Sequence, residues 1–279
     1  MKIQILGSAA AEGWPALFCE CEACKKARIN GGKDIRRRCC YLIDDDTMVD
    51  FGPDVYAQSL AFNIDLAKVK HIFFTHSHCD HLAPIELSWR HPGFSRLVDS
   101  EPLRIYGNQA VMDTIHNYFN AKQWTMDELQ CAPIKLVKPG DVVKDGELTA
   151  TAFLADHSAP PEIPLNYIIQ RGNTTILIAN DTGWWCEENW KAVEKFKIDI
   201  AIIECTFGVS LPPHKDKHLG AEHSVAFRDE LQKRGALKDD AIVAVNHFSH
   251  NCHDLHEDFE RYFNPKGILV GYDGMIIER

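Results

Sequence analysis

No part of the 279-residue chain stays apolar and uncharged for the ~18 residues that a membrane-crossing helix requires, so no such helix is expected. Low-complexity segments and short repeats are missing as well, which sets aside disorder and coiled coils. Positive charge is scarce. Thirty Lys and Arg face 40 Asp and Glu, for a net charge of −10. Nucleic-acid binding draws most of its affinity from Lys and Arg on phosphates, so this balance argues against a polynucleotide partner. There is also no basic insert long enough to grip a tRNA. The opening Met1-Lys2-Ile3-Gln4-Ile5-Leu6-Gly7 reads as a strand rather than an apolar leader, and a cytoplasmic location is expected.

The chain does have 45% hydrophobic and 25% charged residues, enough to bury a core without disulfides. Short β-rich runs alternate with helical patterns, the mark of an α/β chain. Strands are expected at 2–6, 40–43, 48–51, 69–75, 103–106, 148–154, 167–170, 174–179, 198–204, 241–245 and 267–270, and helices at 108–120, 186–196, 222–234 and 254–263. The turn-rich stretch from Lys138-Pro139-Gly140-Asp141 to Gly146 falls mid-chain. This pattern suits one domain over 1–279, made of two similar halves that meet near 140–147.

Fourteen histidines are present, and they cluster. His76-Ser77-His78-Cys79-Asp80-His81 directly follows the expected strand His71–Thr75, setting four metal-competent groups within six residues. His157, Asp181 and His247 each follow another expected strand. Ligand sites in α/β sheets gather at the carboxyl ends of strands, so four strands would deliver such groups to one edge. Taken alone, His157 and His247 could be hydrogen-bonded loop residues, and Asp181 a helix cap. Nitrogen and carboxylate donors without thiolate suit Zn²⁺, Mn²⁺ or Fe²⁺. Cys79, inside the motif, reads as a packing residue.

At residues 76–81 the chain resembles the metallo-β-lactamase superfamily, whose H-x-H-x-D-H motif it matches at every fixed position. The resemblance implies an αββα sandwich, with two mixed sheets face to face and helices outside. It further implies two divalent metal ions, one held by His76, His78 and His157 and one by Asp80, His81 and His247, with Asp181 as the bridge.

Ten cysteines would suggest disulfides in a small secreted chain, but three of these form the tight run Cys19-Glu20-Cys21-Glu22-Ala23-Cys24. That spacing is cramped for disulfides and suits tetrahedral Zn²⁺, with His250 as candidate fourth ligand. This pairing resembles the branch that contains the cyclic phosphodiesterase of phosphonate breakdown, in which such a cluster holds a structural zinc, and the accessory protein of PQQ biosynthesis shares the cysteines. Cys39 and Cys40 read as core or edge residues.

The resemblance implies a dinuclear phosphodiesterase that opens a small diester, cyclic or open-chain, by attack of a metal-bridging hydroxide, which Asp80 would orient. The leaving group needs a proton, and His218 or His223, both ahead of or in the helix expected at 222–234, would supply it. Arg36-Arg37-Arg38 and Lys215 are candidates for substrate phosphate, although a charge run more often faces solvent. The alternatives are a tRNA 3′-processing type of nuclease and a non-catalytic accessory protein. The expected partner is a small phosphodiester, with neither nucleic acid nor membrane, and the fold suggests a homodimer.

Overall fold

Strands that are apolar on both faces need cover on both, and this chain is rich in them. The computed structural model describes residues 1–98 and 100–279. Its first sheet contains β1 (Lys2–Gly7), β2 (Cys40–Ile43), β3 (Thr47–Val49), β4 (His71–Phe73), β5 (Arg104–Gly107) and β6 (Lys135–Leu136). The second contains β7 (Val142–Asp145), β8 (Leu148–Leu154), β9 (Leu165–Arg171), β10 (Thr174–Ala179), β11 (Ile198–Glu204), β12 (Leu237–Asn246) and β13 (Ile268–Val270). The last strand, β14 (Ile276–Glu278), returns to the first sheet and pairs antiparallel with β1. The orders are β14-β1-β2-β3-β4-β5-β6 and β13-β12-β11-β10-β9-β8-β7, each mixing parallel and antiparallel pairs.

Side-chain alternation then sorts the apolar residues into three layers. Ile3, Ile5, Tyr41 and Ile43 of the first sheet meet Ile176, Ile178, Ile200 and Ile202 of the second in a central core. Leu6, Cys40, Leu42 and Ile72 point outward under α2 (Val55–Phe62), α3 (Pro84–Ser88) and α4 (Gln109–Lys122). On the other side Leu177, Ala201, Ile203 and Val245 pack beneath α5 (Glu187–Val193), α6 (Ala221–Lys233) and α7 (His256–Phe263), with α1 (Glu22–Asn30) in the same layer. This is the αββα sandwich. Each fully buried Leu, Ile or Phe contributes roughly 1.5–3 kcal/mol. Among the described residues, no helix is long and apolar enough to cross a membrane.

Three helices escape the sequence reading for identifiable reasons. The buried face of α1 is only Ala23, Cys24 and Ala27, too small to register as an apolar stripe. α2 is apolar nearly all round but buries few residues, and α3 spans only Pro84–Ser88. Strands β6, β7 and β14 are short and half polar.

The arginine run is tied into the fold, with Arg36 buried and Arg37 and Arg38 partly exposed. Arg36 is buried and donates to Ser8 Oγ (2.9 Å), to the Gly271 carbonyl (2.7 Å) and to His256 Nδ1 (2.9 Å). Its guanidinium also lies over the Phe248 ring, 4.5 Å from the centroid. Arg36 thereby joins the first strand's exit, α7 and the last turn. Arg37 pairs with Asp273, and Arg38 with Asp54.

His256 is the soft point of this joint. Because Arg36 donates to Nδ1, the ring proton sits on Nε2 and is given to Glu260 at 2.9 Å. Burial, and then the Arg36 charge, push His256 down to about 4. The unfolded chain takes up this proton near pH 6.5 and the folded chain only near pH 4, so the joint loses stability as the pH falls between them. We expect denaturant titrations at pH 7 and pH 4.5 to show a wild-type loss from this group of up to about 3 kcal/mol. His256→Gln should remove that component of the slope.

Candidate metal centre

The clustered residues leave the carboxyl ends of strands from both sheets. The loop after β4 carries His76, His78, Asp80 and His81, while His157 follows β8, Asp181 follows β10 and His247 follows β12. The β4 loop is seated by backbone contact. Phe51 N–H donates to the His81 carbonyl, and a Cβ on Gly52 would stand 2.0 Å from the Asp80 carbonyl oxygen. Only glycine allows that approach.

Each histidine is oriented from behind. His81 Nδ1 donates to Asp50 (2.7 Å), and His76 Nδ1 to Thr75 Oγ1 (2.9 Å), whose hydroxyl bonds Asp50 in turn. His247 Nδ1 donates to Thr206 Oγ1 (2.8 Å). With Nδ1 engaged, the bare nitrogen is Nε2, and Nε2 of His76, His81 and His247 is buried without a hydrogen-bond partner. His157 Nε2 and His78 Nδ1 face each other at 3.2 Å. Asp50, Asp181 and His247 all adopt left-handed backbone, with φ of 65°, 45° and 62°.

Orphaned buried nitrogens beside carboxylates fit a cation. The possible ligand atoms of His76, His78 and His157 lie within 4.8 Å of one another, as do those of Asp80, His81 and His247. Asp181 stands between the sets. Its Oδ2 is 3.1 Å from both His81 Nε2 and His247 Nε2, and its Oδ1 is 3.8 Å from His157 Nε2. Burial holds His76 and His157 below the ordinary imidazole value, which keeps both unprotonated as ligands must be. Burial also opposes charge on His81, but Asp80, Asp181 and Asp50 outweigh it and drive that ring well up. The carboxylates demand a positive charge at this spot.

His218 joins the same cleft and His223 does not line it. His218 Nδ1 is 2.8 Å from Glu204, which is fully buried and also accepts from the backbone N–H groups of Thr182, Thr206 and Leu219. Burial would lower His218, yet the Glu204 charge prevails and raises it to about 9, so the ring carries a proton at neutral pH. The sequence reading missed Glu204 and Asp50. Both are acids closing apolar strand runs, Ile200-Ala201-Ile202-Ile203-Glu204 and Met48-Val49-Asp50, and a buried acid at such a position is the signal that was available.

The cleft itself is small, about 330 Å³. Neither the arginine run nor Lys215 lines it. Cys79, expected to pack, is exposed instead, because its neighbours Asp80 and His81 take the inward positions.

A second cluster lies beside it. His250 Nδ1 is 3.6 Å from Cys19 Sγ and 3.7 Å from Cys21 Sγ, and all four donor atoms of Cys19, Cys21, Cys24 and His250 fall within 4.8 Å. Tetrahedral zinc with Zn–S near 2.3 Å and Zn–N near 2.0–2.1 Å separates sulfur from nitrogen by about 3.6 Å, so these residues fit that ion. Backbone N–H groups of Cys21, Cys24 and Ala16 already point at the three sulfurs. Burial pushes the Cys21 thiol up, but the Cys24 N–H and His250 prevail and bring it down to about 6.

The two clusters should empty separately. Elemental analysis of purified Cys19→Ser should show about one metal ion fewer per chain than wild type. Gly52→Ala, which forces the Asp80 loop away, should instead lose the ions of the histidine cluster and keep the cysteine-bound one.

No curated protein matches this sequence. The sequence profile of the beta-lactamase superfamily domain matches residues 47–237. Among solved structures, a diphosphatase from the PhnP family shares 21% identity at a TM-score of 0.74, covering 99% of this chain and 97% of that one. Zn²⁺-bound PqqB from Methylobacterium extorquens shares 15% at 0.73, with 100% of both chains covered. Human tRNase Z, short form, shares 16% at 0.70, with 100% and 99% covered. The chain belongs to the beta-lactamase superfamily, and its sandwich fold is that of a metal-dependent hydrolase.

Proposed function

We propose that this hydrolase cleaves a small phosphodiester. The observation that carries the reading is the pair of facing ligand sets spanned by the Asp181 carboxylate, with the His218–Glu204 pair opening on the same cleft. His76, His78 and His157 would hold one ion and Asp80, His81 and His247 the other, with Asp181 shared. Two divalent ions such as Mn²⁺ or Zn²⁺, if held there, would acidify a water and draw charge from phosphoryl oxygens.

The chain's own residues do the rest. Asp50, Thr75 and Thr206 fix the rings, so little reorganisation remains at the moment of reaction. Asp80, 3.0 Å from His81 Nε2 and inside the cleft, is positioned to orient the attacking water. Glu204 holds His218 through Nδ1, which leaves Nε2–H for the departing alkoxide. Attack breaks one P–O bond, the leaving oxygen takes that proton, and the products are a phosphomonoester and an alcohol. In a cyclic diester these are one molecule.

A cleft of about 330 Å³ is near the lower end for small-molecule sites and favours a compact substrate over a polynucleotide. The net charge of −10 points the same way. Complete ligand sets favour an enzyme over an accessory role.

The test is hydrolysis of a five-membered ribose 1,2-cyclic phosphate by Mn²⁺-loaded protein, followed by phosphorus NMR with Asp80→Ala as blank. Ring opening by wild type alone is expected, and its absence in demonstrably loaded protein would remove the cyclic-ribose reading. With metal content unchanged, His218→Gln should lower kcat about 10²–10⁴-fold. Glu204→Gln should lower it about 10–100-fold, and His223→Gln should leave it near wild type.

A further inference from the structure

Beyond the clustered His and Asp residues, the cleft is lined by Ala10, Ala11, Glu12, Phe207, Ser249 and Asn251, among others. No Lys or Arg lines the cleft among the described residues. Arg36 is engaged by Ser8, Gly271 and His256, Arg37 by Asp273 and Lys217 by Asp156, while Arg38 pairs with Asp54 and donates through Nε to the Ala11 carbonyl. Apart from His218, which is committed to Glu204, a phosphate other than the reacting one would find no cationic side chain lining the cleft. Besides Asp80 and Asp181, which belong to the proposed ligand sets, it would meet one further carboxylate.

That charge is Glu12, and it is held in place. The Ser249 hydroxyl donates to Oε1, and His250 Nε2 lies 3.6 Å from the same oxygen. The other nitrogen of His250 faces Cys19 and Cys21, so the cysteine corner braces the carboxylate from behind. Two residues before it, Ala10 N–H is tied to the Phe248 carbonyl (2.9 Å). Among the described residues, Oε2 has no hydrogen-bond partner. Glu12 lines the cleft, and this oxygen is free to accept from the non-reacting portion of a substrate.

We infer that Glu12 sets specificity: it accepts from hydroxyl groups of an uncharged flanking moiety and turns away substrates that carry a second phosphate. The inference rests on the phosphodiesterase reading above. Like charges brought together across a confined site discriminate by repulsion, and an unpaired acceptor rewards a donor.

The experiment compares ribose 1,2-cyclic phosphate bearing a free 5-hydroxyl with the same compound phosphorylated there, using metal-loaded full-length protein. Bis(p-nitrophenyl) phosphate serves as a third diester without hydroxyls. Wild type should favour the hydroxyl form by at least about tenfold in kcat/KM. Glu12→Gln, which keeps the Ser249 contact, should bring that ratio towards one, and Glu12→Lys should invert it. A merely structural role would lower both rates together and leave the ratio unmoved. Calorimetry with the two products, ribose 1-phosphate and ribose 1,5-bisphosphate, gives a readout without turnover, and their affinities should rank the same way. Turnover of bis(p-nitrophenyl) phosphate with a wild-type ratio near one would overturn the inference and leave the phosphodiesterase standing. Failure on all three diesters would overturn the phosphodiesterase, and the product affinities would then decide Glu12 alone.

Discussion

Buried imidazole nitrogens that point at one another and at carboxylates are tolerable only around positive charge, and the middle of this protein is organised by that requirement. Nε2 of His76, His81 and His247 makes no hydrogen bond, although Asp80 and Asp181 stand 3.0–3.1 Å from two of them. Removing such groups from water without compensation costs several kcal/mol each on apolar reference scales. The surrounding architecture does not relieve the problem. It enforces it, because Asp50, Thr75 and Thr206 take up every Nδ1 proton and prevent the rings from turning away.

The two-sheet design explains how so many polar groups can be held at one edge. Three apolar layers fix the strands, and the clustered His and Asp residues sit at or just beyond the strand ends. The first sheet gives the His76–His81 loop. The second gives His157, Asp181, Glu204 and His247 from β8, β10, β11 and β12. The cysteine corner shares the loop after β12, where His247 turns to one cluster and His250, three residues on, to the other. One short segment thus couples the placement of both.

What the sequence revealed divides by distance along the chain. The H-x-H-x-D-H run and the three cysteines are local, so their residue types and spacing were enough to mark them. His250 was found because it lies three residues from His247. The groups that orient these histidines were not marked: Asp50 reaches His81 from 31 residues away, and Glu204 reaches His218 across 14. No local pattern encodes those pairings. His223 illustrates the converse, since it lies near His218 in sequence but is not part of the cleft. The arginine run was misleading for a related reason, because its charges close tertiary joints to Asp54, His256 and Asp273 that lie far off in the chain. Periodicity found the long strands and helices. It failed where a helix buries only alanines and a cysteine, as α1 does.

The left-handed backbone at Asp50, Asp181 and His247 has an evolutionary consequence. At an ordinary tight turn, drift leads to glycine, which relaxes the backbone and is readily kept. Here the turn residue and the working side chain are the same residue, so glycine would ease the chain and erase the group. For the two aspartates, asparagine suits the backbone best among the rest, but it carries no charge. These positions therefore lack the neutral intermediates through which most loop residues wander. A descendant that gives up the chemistry would be expected to show it first as glycine or asparagine at these three sites, with the sandwich around them intact.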